Sequence, residues 1–362
     1  MNMKNIKIAV TLFLAGLTVS SSVYAGNEDR AGEAGASQLL INPWVRSVGF
    51  GGANTASAIG LEAMNLNVAG LAFTRKTEIM FAHKNWLVGS ETKINSFGLT
   101  QKVGETGVLG LSFMSMGFGD IDITTVDLPE GGVGTFSPSY LTLDLAYAKK
   151  FSNTISGGMV VRVVSESISN VNSRGVAFNA GVKYVTGEND RIKFGISLNN
   201  VGPSMRASGE GLSFTNIDVN TGVTTTQQRK AAAYQLPSSL NIGATYDFFV
   251  AAVKDSASNQ IKANHRITAA ANFTANSFTK DQYRLGVEYG FRNLFMLRAG
   301  YVLESTTWFD SKLRTTAYTG PSFGGSVIAP LGKSGSTFGL HYAYEMTERF
   351  SGTHSIGVRI DL

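Results

Sequence analysis

About fourteen times along this chain a stretch of roughly ten residues alternates apolar with polar or small side chains, a pattern that leaves few folds open. The last repeat runs to the final residue: His354, Ile356, Val358, Ile360 and Leu362 share one face, and Ser355, Gly357, Arg359 and Asp361 the other. Two further repeats are as clean. Leu141, Leu143, Leu145 and Tyr147 oppose Thr142, Asp144 and Ala146; Tyr283, Leu285, Val287, Tyr289 and Phe291 oppose Arg284, Gly286, Glu288 and Gly290. Candidate strands begin near Thr77, Lys93, Gly107, Tyr140, Thr154, Gly175, Arg191, Ser238, His265, Gln282, Leu294, Pro321, Thr337 and Thr353.

The polar faces decide which way such strands turn. A small soluble barrel points its apolar face inward, whereas a barrel in lipid points it outward and keeps charge inside. About fourteen strands enclose too wide an interior for a dry core, and no alternating helices are present to cover a sheet from outside. The sequence therefore predicts an all-β transmembrane barrel of about fourteen antiparallel strands. With 41 glycines and 16% charged residues the composition agrees, although a soluble β-sandwich could share it.

The first residues point to export. Lys4 and Lys7 precede an apolar run from Ile8 to Leu17, and Val23-Tyr24-Ala25 offers small residues for cleavage, so residues 1–25 read as a signal peptide. A membrane anchor is the alternative, but the run falls short of the roughly 20 residues a spanning helix needs. There is no cysteine, which excludes disulfides, thiolate metal sites and a cysteine nucleophile. The formal charge of +5 falls to about +3 without Lys4 and Lys7, and scattered basic residues give nucleic acid no footprint.

Connection lengths alternate. Gly104 to Thr106, Phe151 to Asn153, Gly187 to Asn189, Arg292-Asn293 and Leu331 to Gly335 are tight, while Gly117 to Ser139, Gly202 to Pro237 and Glu304 to Gly320 are long. The stretch from Phe249 to Asn264 breaks the pattern. Short periplasmic turns and long outer loops, with an even strand count, put both termini in the periplasm of an outer-membrane protein. Residues 26–73 form a separate region before the barrel at 74–362. Within it Leu61, Met64, Val68 and Leu71 recur at helical spacing, which predicts one or two short helices in the lumen or across its mouth as a plug, with Asn67, Gly70 and Leu71 as candidate plug residues. An extra strand plus loop is the alternative.

No catalytic or metal centre is legible. His83, His265, His341 and His354 lie on separate strands without metal-site spacing; parity turns His341 inward and His265 and His354 outward. Gly49-Phe50-Gly51-Gly52 lacks the strand and the Gly-Lys-Ser or Gly-Lys-Thr of a phosphate loop and reads as a tight bend. No Gly-x-Ser-x-Gly elbow sits between a strand and a helix. The reading is a non-enzyme without cofactor. Inward charges include Asp144, Arg162, Lys183, Lys193, Asp247, Arg266, Arg284, Glu345 and Arg359. Glu288 and Arg298 fall on one face about one diagonal step apart, a structural ion pair. Candidate partner-binding residues are loop apolars: Phe118, Leu128 and Phe136 in one long connection, Trp308 and Phe309 in another. They could equally pack within their loops or join an aromatic girdle at the lipid interface.

Several segments together resemble a known family: Ser47-Val48-Gly49-Phe50-Gly51-Gly52-Ala53, Asn67-Val68-Ala69-Gly70-Leu71-Ala72, Leu198-Asn199-Asn200-Val201-Gly202-Pro203, Leu236-Pro237-Ser238-Ser239-Leu240, Leu297-Arg298-Ala299-Gly300-Tyr301, and Tyr342-Ala343-Tyr344 with His354 to Arg359. They are similar to the PorV/PorQ outer-membrane proteins, themselves similar to the FadL fatty-acid channel fold. Where that family commonly has Asn-Pro-Ala-Gly, this chain has Asn67-Val68-Ala69-Gly70, and it ends on Leu362 rather than an aromatic. The resemblance implies a FadL-like barrel with an N-terminal segment in the lumen. It also implies an accessory role in the type IX secretion system of Bacteroidota, with three partners: the translocon barrel, cargo C-terminal signal domains, and the surface sortase or attachment complex. The FadL likeness implies the alternative, a channel for hydrophobic small molecules.

Overall fold

The computed structural model describes residue 30 and residues 32–217, 222–254, 261–304, 316–317, 319–332, 335–347 and 350–362. Fourteen antiparallel strands close into a barrel. They are β1 (Thr77–Asn85), β2 (Lys93–Val103), β3 (Gly107–Gly117), β4 (Ser139–Lys150), β5 (Ile155–Ile168), β6 (Val171–Thr186), β7 (Ile192–Val201), β8 (Ser239–Lys254), β9 (Ile261–Asn276), β10 (Gln282–Phe291), β11 (Phe295–Glu304), β12 (Gly320–Leu331), β13 (Ser336–Glu345) and β14 (Thr353–Asp361). Each pairs with the next, and β1 pairs with β14 from Glu78↔Asp361 to Asn85↔His354, so no edge is left open.

Burial follows the alternation, with the apolar side outside. Leu141, Leu143, Leu145 and Tyr147 are exposed, whereas Thr142, Asp144 and Ala146 are buried. The same holds round the ring for Phe97, Leu111, Val163, Ile196, Leu285 and Leu340. An outer wall of this kind is stable only against lipid.

The wall explains two features that spacing left open. Much of the stretch between Phe249 and Asn264 is strand: β8 and β9 continue past their neighbours as a protruding ladder, from Val250↔His265 to Lys254↔Ile261. Likewise β5 and β6 extend to a two-residue turn at Ser169-Asn170, so β6 starts earlier than Gly175.

Residues 36–73 pack inside the ring. They form short turns of helix, Ser37–Leu40, Val45–Gly49, Gly60–Glu62, Ala63–Leu66 and Val68–Phe73, rather than one or two helices. Gly51 and Gly52 take φ of 66° and 67°, which makes the bend expected there. The segment traverses the lumen from end to end. Ala34 bridges Gln235 and Gly35 N–H donates to Gln235 O, at the end carrying the long connections. Leu362 N–H donates to Thr77 O at the opposite, short-turn end. The first described residues and the C-terminus thus lie at opposite ends of the barrel. Turn parity could not see this, because a lumen-threading segment adds one crossing without adding a strand.

Candidate functional site

The lumen is divided by a layer of glycines. Gly98, Gly181, Gly243, Gly286, Gly300 and Gly324 face inward, and a Cβ on any of them would meet Leu61, Asn67, Thr55, Phe50, Gly51 or Gly49 of the threaded segment at 3.2 Å or less. Trp44, Leu61, Met64 and Leu71 are buried against this wall and form the main apolar core. Polar bonds lock the fit. Asn67 Nδ2 donates to Val182 O at 3.0 Å and its Oδ1 accepts from Ala69 N–H, capping the turn that opens at Val68. Ser197 Oγ and Asn199 Nδ2 both donate to Leu66 O, and Leu61 N–H donates to Glu78. Gly70 lies so close to Ala58 O that a Cβ would sit 2.1 Å from it, while Leu71 packs over Gly110.

Toward the short-turn end the space is polar. A chamber of about 140 Å³ is bounded by Arg46, Asn54 and Glu62 of the threaded segment and by Asp247, Glu288 and Arg298 of the wall. Glu288 accepts from Arg298 Nε at 2.6 Å and from Arg266 Nη2 at 2.5 Å. The pair is direct, Glu288↔Arg298, not diagonal, because the β10–β11 connection is three residues long with Arg292 and Asn293 in left-handed conformations. Lys193 pairs with Asp247, and Arg46 approaches Glu62 at 3.7 Å. Farther up the wall Arg162 grips Asp144 with two 2.7 Å hydrogen bonds and donates to Asn200. Arg359 lies 3.4 Å from Glu78 and 2.9 Å from Asp361, and Lys84 lies 3.1 Å from Glu345. At the base, the Lys150 and Lys183 ammonium groups lie 4.4 and 4.5 Å from the Phe73 ring centroid. These contacts are structural bracing.

Toward the long-connection end the lumen widens into a mouth cavity of about 360 Å³. Its floor is Ala36 to Gln38, its walls are Ile168, Val171 and Ala207, and Tyr140, Tyr234 and Glu166 line its polar side. The connection 202–238 builds one flank by folding back on β6, pairing Ala207 with Ser173, and then pairing Met205 with Tyr234. Gly35 is required here, since a Cβ would sit 2.3 Å from the Tyr234 ring. Glu166 accepts from Gln38 Nε2 at 2.8 Å and from the Tyr234 hydroxyl at 2.5 Å. Burial and the Glu166 hydrogen bond push the Tyr234 phenol up to about 12, so it stays a donor at neutral pH. Spacing alone did not reveal this site, because Gln38, Glu166 and Tyr234 are joined only by the fold.

The loop residues named from sequence scatter. Phe118 turns under its connection and packs edge-on against Tyr140, ring centroids 4.9 Å apart, beside Trp86 and Met116. Phe136 pairs with Ile121 in a two-residue ladder, and Leu128 is exposed. Trp308 and Phe309 lie outside the described residues. His341 is buried with Nδ1 2.6 Å from Ser326 Oγ; His265 and His354 sit on the outer face beside Tyr289 and Tyr342. Among the described residues no group of three or more His, Asp or Glu is arranged to hold a metal ion.

No protein-family profile matches the sequence, and comparison with curated proteins gives no match. Solved structures do. The Pseudomonas putida toluene transporter TodX aligns at a TM-score of 0.53 with 14% identity, over 88% of this chain and 97% of that one. The CymD monoaromatic hydrocarbon channel aligns at 0.52 with 15% identity, over 87% and 95%. The Ralstonia pickettii toluene transporter TbuX aligns at 0.50 with 13% identity, over 88% and 97%. At such identities the likeness is one of fold: the chain has the architecture of FadL-like outer-membrane barrels.

Proposed function

We propose that this protein is an outer-membrane channel for hydrophobic small molecules that captures its ligand in the mouth cavity beside Tyr140, Glu166 and Tyr234. The cavity carries the reading. Its volume lies within the roughly 300–1,000 Å³ of small-molecule sites, and it sets apolar walls beside a few convergent polar groups. Similarity to barrels described as toluene transporters and a monoaromatic hydrocarbon channel supports the same class. In this reading the long connections and the cavity face the exterior, and the short turns and C-terminus face the periplasm. The test is binding of a hydrophobic probe such as hexylbenzene to purified protein, followed by its entry into liposomes bearing the barrel. Ala207→Trp, which fills the cavity, is expected to abolish both; equal binding by this variant would overturn the site.

One observation favours a second reading. In the connection from Phe118 to Pro138, Ile121, Ile123, Val126, Leu128 and Val133 are all exposed, Val126 at 99%. A clustered apolar loop of this kind suits a protein partner. It agrees with the type IX accessory role implied by the sequence resemblance, in which the translocon, cargo signal domains or the attachment complex would dock there. Unchanged secretion and attachment of signal-bearing cargo in a strain lacking the protein would eliminate that reading.

A further inference from the structure

The mouth cavity holds one charge. Glu166 is half-buried, and its two oxygens accept from Gln38 and Tyr234, both neutral donors. These bonds fix the carboxylate's direction and leave its charge uncompensated. Among the described residues no Lys, Arg or His forms an ion pair with Glu166, and none lines the cavity. The carboxylates deeper in the lumen are treated differently: Asp144, Asp247 and Glu288 each hold an Arg or Lys, and so does Glu62 of the threaded segment.

From this contrast, and resting on the channel reading above, we propose that the cavity selects hydrophobic molecules bearing a cationic group, an ammonium on an apolar body, with Glu166 as the counter-charge. Each carboxylate oxygen keeps lone-pair capacity beyond the one bond it accepts, so an ammonium can add its hydrogen bonds without displacing Gln38 or Tyr234. Tyr140 and Tyr234 offer aromatic surface to the cation, as aromatic cages do for organic ammonium ions. Ile168, Val171 and Ala207 take the apolar body. An anionic ligand meets an unpaired negative charge at the same place. A neutral one gains the apolar contacts alone. Selectivity of this kind is set by one residue and needs no change in the wall.

The test uses the full-length protein in detergent and three probes of matched length, hexylamine, hexanol and hexanoate, with affinity measured by calorimetry near pH 7. The amine is expected to bind at least about tenfold more tightly than the alcohol, and hexanoate most weakly. Glu166→Gln, which keeps the volume and removes the charge, is expected to bring amine and alcohol within about twofold of each other. Hexanol binding equal to hexylamine in the unaltered protein overturns the charge selection and leaves the channel reading standing. Failure of every probe to bind, or binding untouched by Ala207→Trp, overturns the channel reading with it. Because the three-probe order is read on unaltered protein, the proposal stays testable even where Glu166→Gln fails to fold.

Discussion

Gly300→Ala is the most demanding single test of the threaded lumen. The added methyl would sit 2.4 Å from both Gly51 N and Phe50 C and 2.6 Å from Phe50 O, all backbone atoms with no rotamer to turn away. Restoring ordinary contact requires a shift of about 1 Å in the bend at residues 50–51, and a gap of that size elsewhere forfeits a quarter to a half of each packing contact it opens. The same bend rests on Gly286, where a Cβ would lie 2.8 Å from Phe50 O, and Gly49 rests on Gly324, so the strain spreads along the seam. Overpacking of this type costs about 1–3 kcal/mol. The lost flexibility of glycine in the unfolded chain returns about 0.4–1 kcal/mol, leaving a net loss of about 1–2 kcal/mol. Gly290→Ala is the internal control: its Cβ would meet nothing closer than 3.8 Å, so only the favourable term remains. Urea titration of protein refolded into lipid vesicles, followed by the mobility of unheated barrel on gels, should put the Gly300→Ala midpoint below wild type and Gly290→Ala at or above it. At a slope of about 2 kcal/mol per molar the two variants should differ by about 1 M. A Gly300→Ala midpoint equal to that of Gly290→Ala would refute the close fit.

Other perturbations address other parts. Asp144→Ala leaves Arg162 buried without its carboxylate, and the loss of about 3–5 kcal/mol is expected to remove most folded barrel in the same gel assay. Leu145→Lys places a charge at the middle of an outward strand face and is expected to cost about 2–4 kcal/mol in bilayers, an effect that shrinks if the position lies near the interface. Val126→Ser combined with Leu128→Ser should leave the unfolding midpoint within about 0.5 kcal/mol of wild type, since both side chains are exposed, and should weaken protein capture if this loop docks a partner.

Alternation made the wall legible because a barrel in lipid reads each strand with a strict period of two: Leu145 outward and Asp144 inward follow from parity alone. Parity likewise turned His341 inward and brought Glu288 near Arg298. The one-step error there came from the turn, where two consecutive non-glycine residues, Arg292 and Asn293, adopt positive φ and lengthen the connection by one. The direction of the threaded segment was not legible, since helical spacing at Leu61, Met64, Val68 and Leu71 names a buried face but not the end from which the chain enters. The mouth cavity was invisible for a related reason. Gln38 and Tyr234 meet Glu166 across 128 and 68 residues of sequence, and only barrel closure and the fold-back of residues 202–238 bring them together.

The energetics of the threaded segment bear on how any ligand could pass it. Trp44, Leu61, Met64 and Leu71 are at most 1% exposed, and returning four such side chains to water costs roughly 6–12 kcal/mol. A ligand that converts a 1:99 equilibrium to 99:1 supplies about 5.5 kcal/mol. Expulsion of the whole segment therefore costs more than such a switch supplies, and release of a part is the smaller step. The end nearest the mouth is different: Ala36 and Leu39 bury less surface, in a small cluster with Val164, Ala177, Met205 and Leu236. Gln38 sits among them and is bonded to Glu166. Any movement that ligand capture drives must begin in residues 36–41, while the part anchored by Asn67 to Val182 stays as the fixed core of the barrel.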